Sequence, residues 1–125
     1  MRTVQQMLEE AHAAVPKITP EEAKGLVGRA DVVFLDVREP NEVATSGKVP
    51  GALALPRGLV EFRADPASPL HDAAFDRAKT VVAYCASGGR SALVLKTLKD
   101  MGYENVRNLG GFKGWVDAGG AIEKA

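Results

Sequence analysis

The chain contains one cysteine, Cys85, and its neighbours are suited to thiol chemistry. The run Thr80-Val81-Val82-Ala83-Tyr84 is β-branched and apolar, and it leads directly into Cys85-Ala86-Ser87-Gly88-Gly89-Arg90-Ser91. Ala86, Ser87, Gly88 and Gly89 carry little or no side chain, so their backbone N–H groups can converge on one point as an anion-binding nest. An apolar-periodic helix follows, and its N-terminal end adds positive potential. Arg90 adds a full charge within the same loop. All three effects favour a thiolate, and cysteines in such surroundings titrate at roughly 3.5–7.5 instead of about 8.5. The nucleophile is then ionised near neutral pH without a histidine base. An isolated cysteine at a strand end is more often a small buried hydrophobe. That account gives no use to two glycines and a cation beside it.

The elements that would position this loop follow from periodicity. Val4, Met7, Leu8 and Ala11 recur at helical spacing, which predicts a helix over 3–14 that Pro16 ends. Thr19-Pro20-Glu21-Glu22 predicts a second helix start, with Thr19 as N-cap, Pro20 at the first position and Glu22 closing a capping box. Val32 to Leu35 is a continuous apolar run of the kind buried on both faces of a parallel sheet. Short helices are predicted over 40–46 and 58–63, and a second short strand over 52–55. Residues 64–72 form a polar, proline-containing loop. Ala92, Leu93, Leu95, Leu98 and Met101 define the apolar face of the helix after Cys85, and Gly102 stops it. Val106 to Leu109 is the last strand, and Gly110-Gly111 turns into a helix carrying Phe112 and Trp115. Strands alternate with helices, so the fold class is α/β with a mainly parallel sheet. In such sheets ligands sit beyond the carboxyl ends of strands, where Cys85 lies.

Four stretches resemble the rhodanese-like, single-domain sulfurtransferases. Asp36-Val37-Arg38-Glu39-Pro40, followed by Glu42, is similar to the family's first motif. Gly47-Lys48-Val49-Pro50-Gly51-Ala52 resembles its Gly-His-Ile-Pro-Gly-Ala turn, with Lys48 in place of the usual histidine. Cys85 to Ser91 resembles the active-site loop, and Gly110-Gly111-Phe112-Lys113-Gly114-Trp115 the closing Gly-Gly-x-x-x-Trp motif. The resemblance runs from about Ile18 to Ala118. It implies a three-layer α/β fold with a five-stranded parallel sheet flanked by helices. The expected organisation is a helical extension over 1–16, the rhodanese-like domain over 17–119 and a frayed tail over 120–125. It further implies a persulfide on Cys85, formed from a small anionic sulfur donor such as thiosulfate. A small thiol, cyanide or a protein would accept the sulfur. Substrate binding falls to Ala86, Ser87, Gly88, Gly89, Arg90 and Ser91. No metal or organic cofactor is implied.

Other residues leave two readings open. Asp36 and Arg38 support the site either as a salt bridge or turn cap near the loop, or with Arg38 on its anion-binding rim. Lys48 can help attract an anion. Glu42 reads as a surface or turn residue, and Trp115 as core.

Composition bounds the alternatives. The 125 residues suit one domain, and 46% hydrophobic with 26% charged residues is ordinary for a globular chain. Sixteen basic residues balance sixteen acidic ones, which points to neither nucleic acid nor an anionic membrane as partner. A lone cysteine and two histidines make a cysteine-rich zinc or iron–sulfur site untenable. No apolar run approaches a membrane span or a secretory signal, so the expectation is a cytoplasmic protein. The rival chemistry is phosphate or arsenate handling. Cysteine phosphatases of related design have a loop one residue longer, and an arsenate reductase would use a second cysteine. A persulfide carrier or sensor for a protein partner is the non-turnover alternative, and steady-state assay with thiosulfate and a thiophile separates it from an enzyme. An inactive interaction module fits poorly with Cys85 and Arg90 both present.

Overall fold

The computed structural model describes the whole chain, Met1–Ala125. Its elements run α1 (Val4–Ala14), α2 (Pro20–Lys24), β1 (Val32–Asp36), α3 (Pro40–Ser46), β2 (Leu53–Ala54), a 3-10 turn (Arg57–Leu59), α4 (Val60–Ala64), β3 (Thr80–Cys85), α5 (Gly89–Asp100), β4 (Val106–Gly111) and α6 (Phe112–Asp117). The capping residues explain where the first helices start. Thr3 and Gln6 form a reciprocal capping box on α1, and Thr19 and Glu22 form the expected one on α2.

The strands form a wholly parallel sheet in the order β2-β1-β3-β4. The four strands expected from apolar runs are all present. The fifth strand implied by family resemblance is reduced to a single bridge, Lys17 to Asn108, on the outer edge of β4. Chemistry limits that segment. Pro16 has no N–H to donate, and the chain turns into α2 at Pro20. Its ladder consists of Asn108 N donating to Pro16 O and Ile18 N donating to Asn108 O.

Strand alternation divides the core between the two faces of the sheet. Val81, Ala83 and Cys85 of β3 join Leu35, Val94, Leu95, Leu98 and Tyr103 on one side. Val82 and Tyr84 join Phe34, Leu109, Phe112 and Trp115 on the other. Helix α1 packs on α5 along the first face, while α6 follows β4 on the second. Trp115 is thus core, as its sequence context suggested, with its Nε1–H donating to Ala121 O at 2.8 Å.

That bond belongs to a wider docking of residues 120–123 onto the domain. Glu123 and Lys48 exchange two backbone hydrogen bonds of 2.8 and 2.9 Å. The Glu123 carboxylate meets Lys48 Nζ at 3.1 Å and accepts from Gly51 N–H. A Cβ on Gly47 would stand 2.6 Å from Ile122 and 2.8 Å from Glu123 O, so glycine there makes room for the tail.

Asp36 and Arg38 form a buried ion pair where β1 ends. Arg38 Nη2 lies 2.7 Å from Asp36 Oδ2, and the side chains are 5% and 0% exposed. The Arg38 backbone N–H and Nε–H both donate to Asp36 Oδ1 at 3.0 Å. Nη1 reaches Ser46 Oγ at 2.7 Å and Nη2 reaches Gly47 O at 2.8 Å. The guanidinium also lies over Phe112, 4.4 Å from the ring centroid. Burial disfavours the Arg38 cation, and the Asp36 carboxylate more than offsets this, so its pKa stays above the ordinary arginine value. Arg38 therefore clamps the β1 turn to the end of α3 and is committed to that structural role. Arg38→Ala would strand a buried carboxylate. The expected loss in chemical denaturation is about 3–5 kcal/mol. A loss within about 1 kcal/mol, the worth of an exposed pair, would refute the clamp.

Candidate active site

Cys85 closes β3 at the carboxyl edge of the sheet, and α5 begins four residues later. The turn between them is sharp because Gly88 adopts a positive φ of 98°, a conformation that disfavours any side chain. The loop then lies directly on the end of β4. A Cβ on Gly111 would sit 2.5 Å from Ala86 O, and one on Gly88 would sit 3.2 Å from Gly110 Cα. Cys85 pairs with Gly111 and Tyr84 with Gly110, after a register shift that leaves Leu109 unpaired. The Gly110-Gly111 motif is accordingly a bed for the Cys85 loop, where backbone must touch backbone.

The loop turns its amides inward. Gly88 N–H donates to Cys85 Sγ at 3.0 Å, and Ser91 Oγ lies 3.6 Å from the same sulfur. Burial pushes the Cys85 thiol up. The N–H and hydroxyl of Ser91, with the N–H groups of Ser87 and Gly88, outweigh it and bring the pKa below the ordinary thiol value. The sulfur is almost fully covered, with Cys85 1% exposed, while Ala86 and Ser87 stand in solvent at the mouth of the loop.

Of the residues assigned from sequence, Ser87, Gly88 and Ser91 gather on the sulfur. Gly89 opens α5. Arg90 has a different immediate partner. Its Nη1 and Nη2 meet Glu42 Oε1 and Oε2 at 2.7 and 3.0 Å, a bidentate pair from the first turn of α5 to α3. This corrects the reading of Glu42 as a surface or turn residue. The Arg90 guanidinium and the Glu39 N–H hold the Glu42 carboxyl down to about 2. Arg90 in turn is raised by Glu42, with a smaller contribution from Cys85. Lys48 is also reassigned. Its ammonium is engaged by Ala52 O at 2.6 Å and by Glu123, so it anchors the tail.

Sequence reasoning missed Asn108. This buried side chain accepts from Ser91 Oγ at 2.8 Å and from Gly110 N–H at 3.0 Å, and its Nδ2 donates to Gly88 O at 3.3 Å. It thereby ties the Cys85 loop to β4, while its own backbone is fixed by Pro16 and Ile18. An amide side chain two residues before the Gly110-Gly111 motif was the available signal.

No cluster of three or more His, Cys, Asp or Glu side chains forms a metal site, and no helix is long and apolar enough to cross a membrane. The arrangement is that of a sulfur facing loop amides that lower its pKa, with an ion-paired arginine close by.

Two measurements check this geometry. Alkylation of Cys85 should have a midpoint below that of a free peptide cysteine, with reactivity lost as pH falls through the folded value. Gly111→Ala should push the loop off its bed, costing roughly 1–3 kcal/mol of stability and moving that midpoint up. An unchanged midpoint in the variant would show that the Gly111 contact does not position the amides.

The comparisons agree with this architecture. The rhodanese-like domain model matches residues 19–118. The chain is 36% identical over 95 residues to a sulfurtransferase of Allochromatium vinosum, covering 75% of this chain and 80% of that protein. It is 32% identical over 114 residues to the thiosulfate sulfurtransferase GlpE of Actinobacillus succinogenes, covering 90% and 94%. Among solved structures, a Rhodopseudomonas palustris protein of unknown function, described as a possible tyrosine phosphatase, superposes with a TM-score of 0.91 at 44% identity, covering 98% and 96% of the two chains. A rhodanese-like domain protein from Staphylococcus aureus superposes at 0.66 with 30% identity, covering 87% and 99%. With the Cys85 loop, its glycine bed and the Asp36–Arg38 turn falling inside the matched residues, the chain belongs to the rhodanese-like domain family.

Proposed function

We propose that the protein is a rhodanese-type sulfurtransferase that carries sulfane sulfur as a persulfide on Cys85. The observation that carries this reading is the 3.0 Å hydrogen bond from Gly88 N–H to Cys85 Sγ, at the N-terminus of a 12-residue helix. That geometry favours an ionised sulfur and, after transfer, an ionised persulfide in nearly the same place. The Cys85 thiolate attacks the outer sulfur of a donor such as thiosulfate. A new S–S bond forms, the donor's S–S bond breaks, and sulfite leaves with the bonding pair. The terminal sulfur then passes to a thiophilic acceptor such as cyanide, a small thiol or a protein thiol, and the Cys85 thiolate is regenerated. Ser91 holds Cys85 from beneath, and Asn108 holds Ser91. No step calls for a metal or an organic cofactor. A lone thiol that must stay reduced suits a reducing compartment such as the cytoplasm.

The Rhodopseudomonas relative keeps a phosphatase reading in view. The loop here has four residues between Cys85 and Arg90. Its amides already close on a single sulfur atom, which favours a small sulfane group over a tetrahedral phosphoryl group.

Incubation with thiosulfate, removal of the donor and intact-mass measurement should show the gain of one sulfur atom. Cyanide or a thiol should remove it, and Cys85→Ser should show neither gain nor turnover. A wild-type protein that takes no sulfur from thiosulfate or any other sulfane donor, yet hydrolyses an aryl phosphate through Cys85, would overturn the reading. Mass gain and discharge only to a protein thiol, without turnover on small thiophiles, would mark a dedicated carrier.

A further inference from the structure

The charges around Cys85 do not match a site built for a dianion. The thiolate contributes one negative charge. The one cation in its loop, Arg90, is held end-on by Glu42 through both Nη atoms at 2.7 and 3.0 Å. The neighbouring motif cations are engaged as well. Arg38 is buried against Asp36, and Lys48 is held by Ala52 O and Glu123. Thiolate, Arg90 and Glu42 together sum to one net negative charge. A donor with two charges must either approach that field or draw Arg90 away from a bidentate partner. A donor with a single charge meets half the repulsion and can leave the pair intact.

The Arg90–Glu42 pair is also placed to matter. Its side chains are 36% and 29% exposed, so it is neither deep core nor freely solvated surface. Glu42 is held in place from its own side, because the Glu39 backbone N–H donates to its Oε1 at 3.1 Å. The bidentate pair uses Nη1 and Nη2 and faces α3.

We propose that Glu42 is a specificity-determining residue that compensates Arg90 and thereby selects sulfur donors with a single negative charge, of the thiosulfonate or thiol persulfide class, over dianionic thiosulfate. This rests on the sulfurtransferase reading above. With a thiosulfonate the step balances as it does for thiosulfate. The Cys85 thiolate bonds to the donor's outer sulfur, the donor's S–S bond breaks, and a sulfinate leaves with the electron pair. The persulfide anion remains on Cys85, and total charge is conserved.

The test compares thiosulfate with methanethiosulfonate. Both present the same reacting S–S bond, and a methyl group replaces one charged oxygen. Steady-state kcat/KM for each is measured in the wild type and in Glu42→Gln, with cyanide as acceptor. Glu42→Gln should raise the thiosulfate-to-methanethiosulfonate ratio roughly tenfold, the scale of one unit charge acting across a partly screened site. In the wild type the same ratio should climb with ionic strength as repulsion is screened, and the climb should flatten in the variant. An unchanged ratio in Glu42→Gln, or an equal loss on both donors, would overturn the proposal and leave Glu42 as a support for Arg90. A wild-type ratio insensitive to salt would overturn it too, without relying on the variant's folding. Failure of both donors to load sulfur onto the wild-type protein would instead remove the sulfurtransferase reading beneath it.

Discussion

The Cys85 sulfur at the end of β3 faces backbone N–H groups, and those groups converge only if the loop behind them is pressed against something flat. That close approach organises the site. Ala86 O comes so near Gly111 that no side chain fits there, and Gly88 crosses beside Gly110 in a conformation only glycine adopts readily. Two glycine pairs, 88–89 and 110–111, thus belong to one contact. The first pair bends the loop and opens α5, and the second removes the side chains that would hold the loop away. Asn108 completes the join by bonding to Ser91, Gly88 and Gly110 together.

Two arginine–carboxylate pairs in this chain show how burial decides what a charge can do. Arg38 and Asp36 are almost wholly enclosed, and every polar atom of the guanidinium has a partner. Removing either partner leaves a charge with nowhere to go, so the pair is structural. Arg90 and Glu42 make an equally regular bidentate contact, but about a third of each side chain reaches solvent. Their pairing energy is modest there, and the pair can act on the field at the loop without being needed to hold the fold. The same chemical contact thus serves two purposes, set by how much water each pair keeps.

Much of this was legible along the chain wherever the determinants are contiguous. The β3 run, the helix after it and the six residues from Cys85 to Arg90 are neighbours in sequence, so local pattern carried them. The Thr19–Glu22 capping box is local for the same reason. What escaped depends on distance. Glu42 and Arg90 are 48 positions apart, and Ser91 and Asn108 are 17 apart, so no spacing announces either pair. Arg90 reads from the sequence as a cation in the Cys85 loop, but its pairing with Glu42 is invisible there. The docking of the tail was not legible because Glu123 pairs with Lys48 through its backbone, and residues 120–125 carry little apolar patterning to signal it. Gly47 was a partial clue, since the room it leaves is filled by Ile122 and Glu123.

The single cysteine sets the order of events that such a site can support. A second thiol in the same chain would let a persulfide discharge internally as a disulfide; Cys85 has no such partner. A hydropersulfide open to solvent would exchange with any thiol that reached it. The loop meets that hazard with the features that activate the thiol. Cys85 is almost fully covered, and its sulfur faces N–H groups that stabilise an anion. Ala86 and Ser87, which follow it, are exposed, so the loop borders solvent although Cys85 itself is covered. A persulfide formed under the proposed reading keeps its inner sulfur against the same Gly88 N–H, and since the chain offers no second thiol, the outer sulfur can leave only to an acceptor from outside.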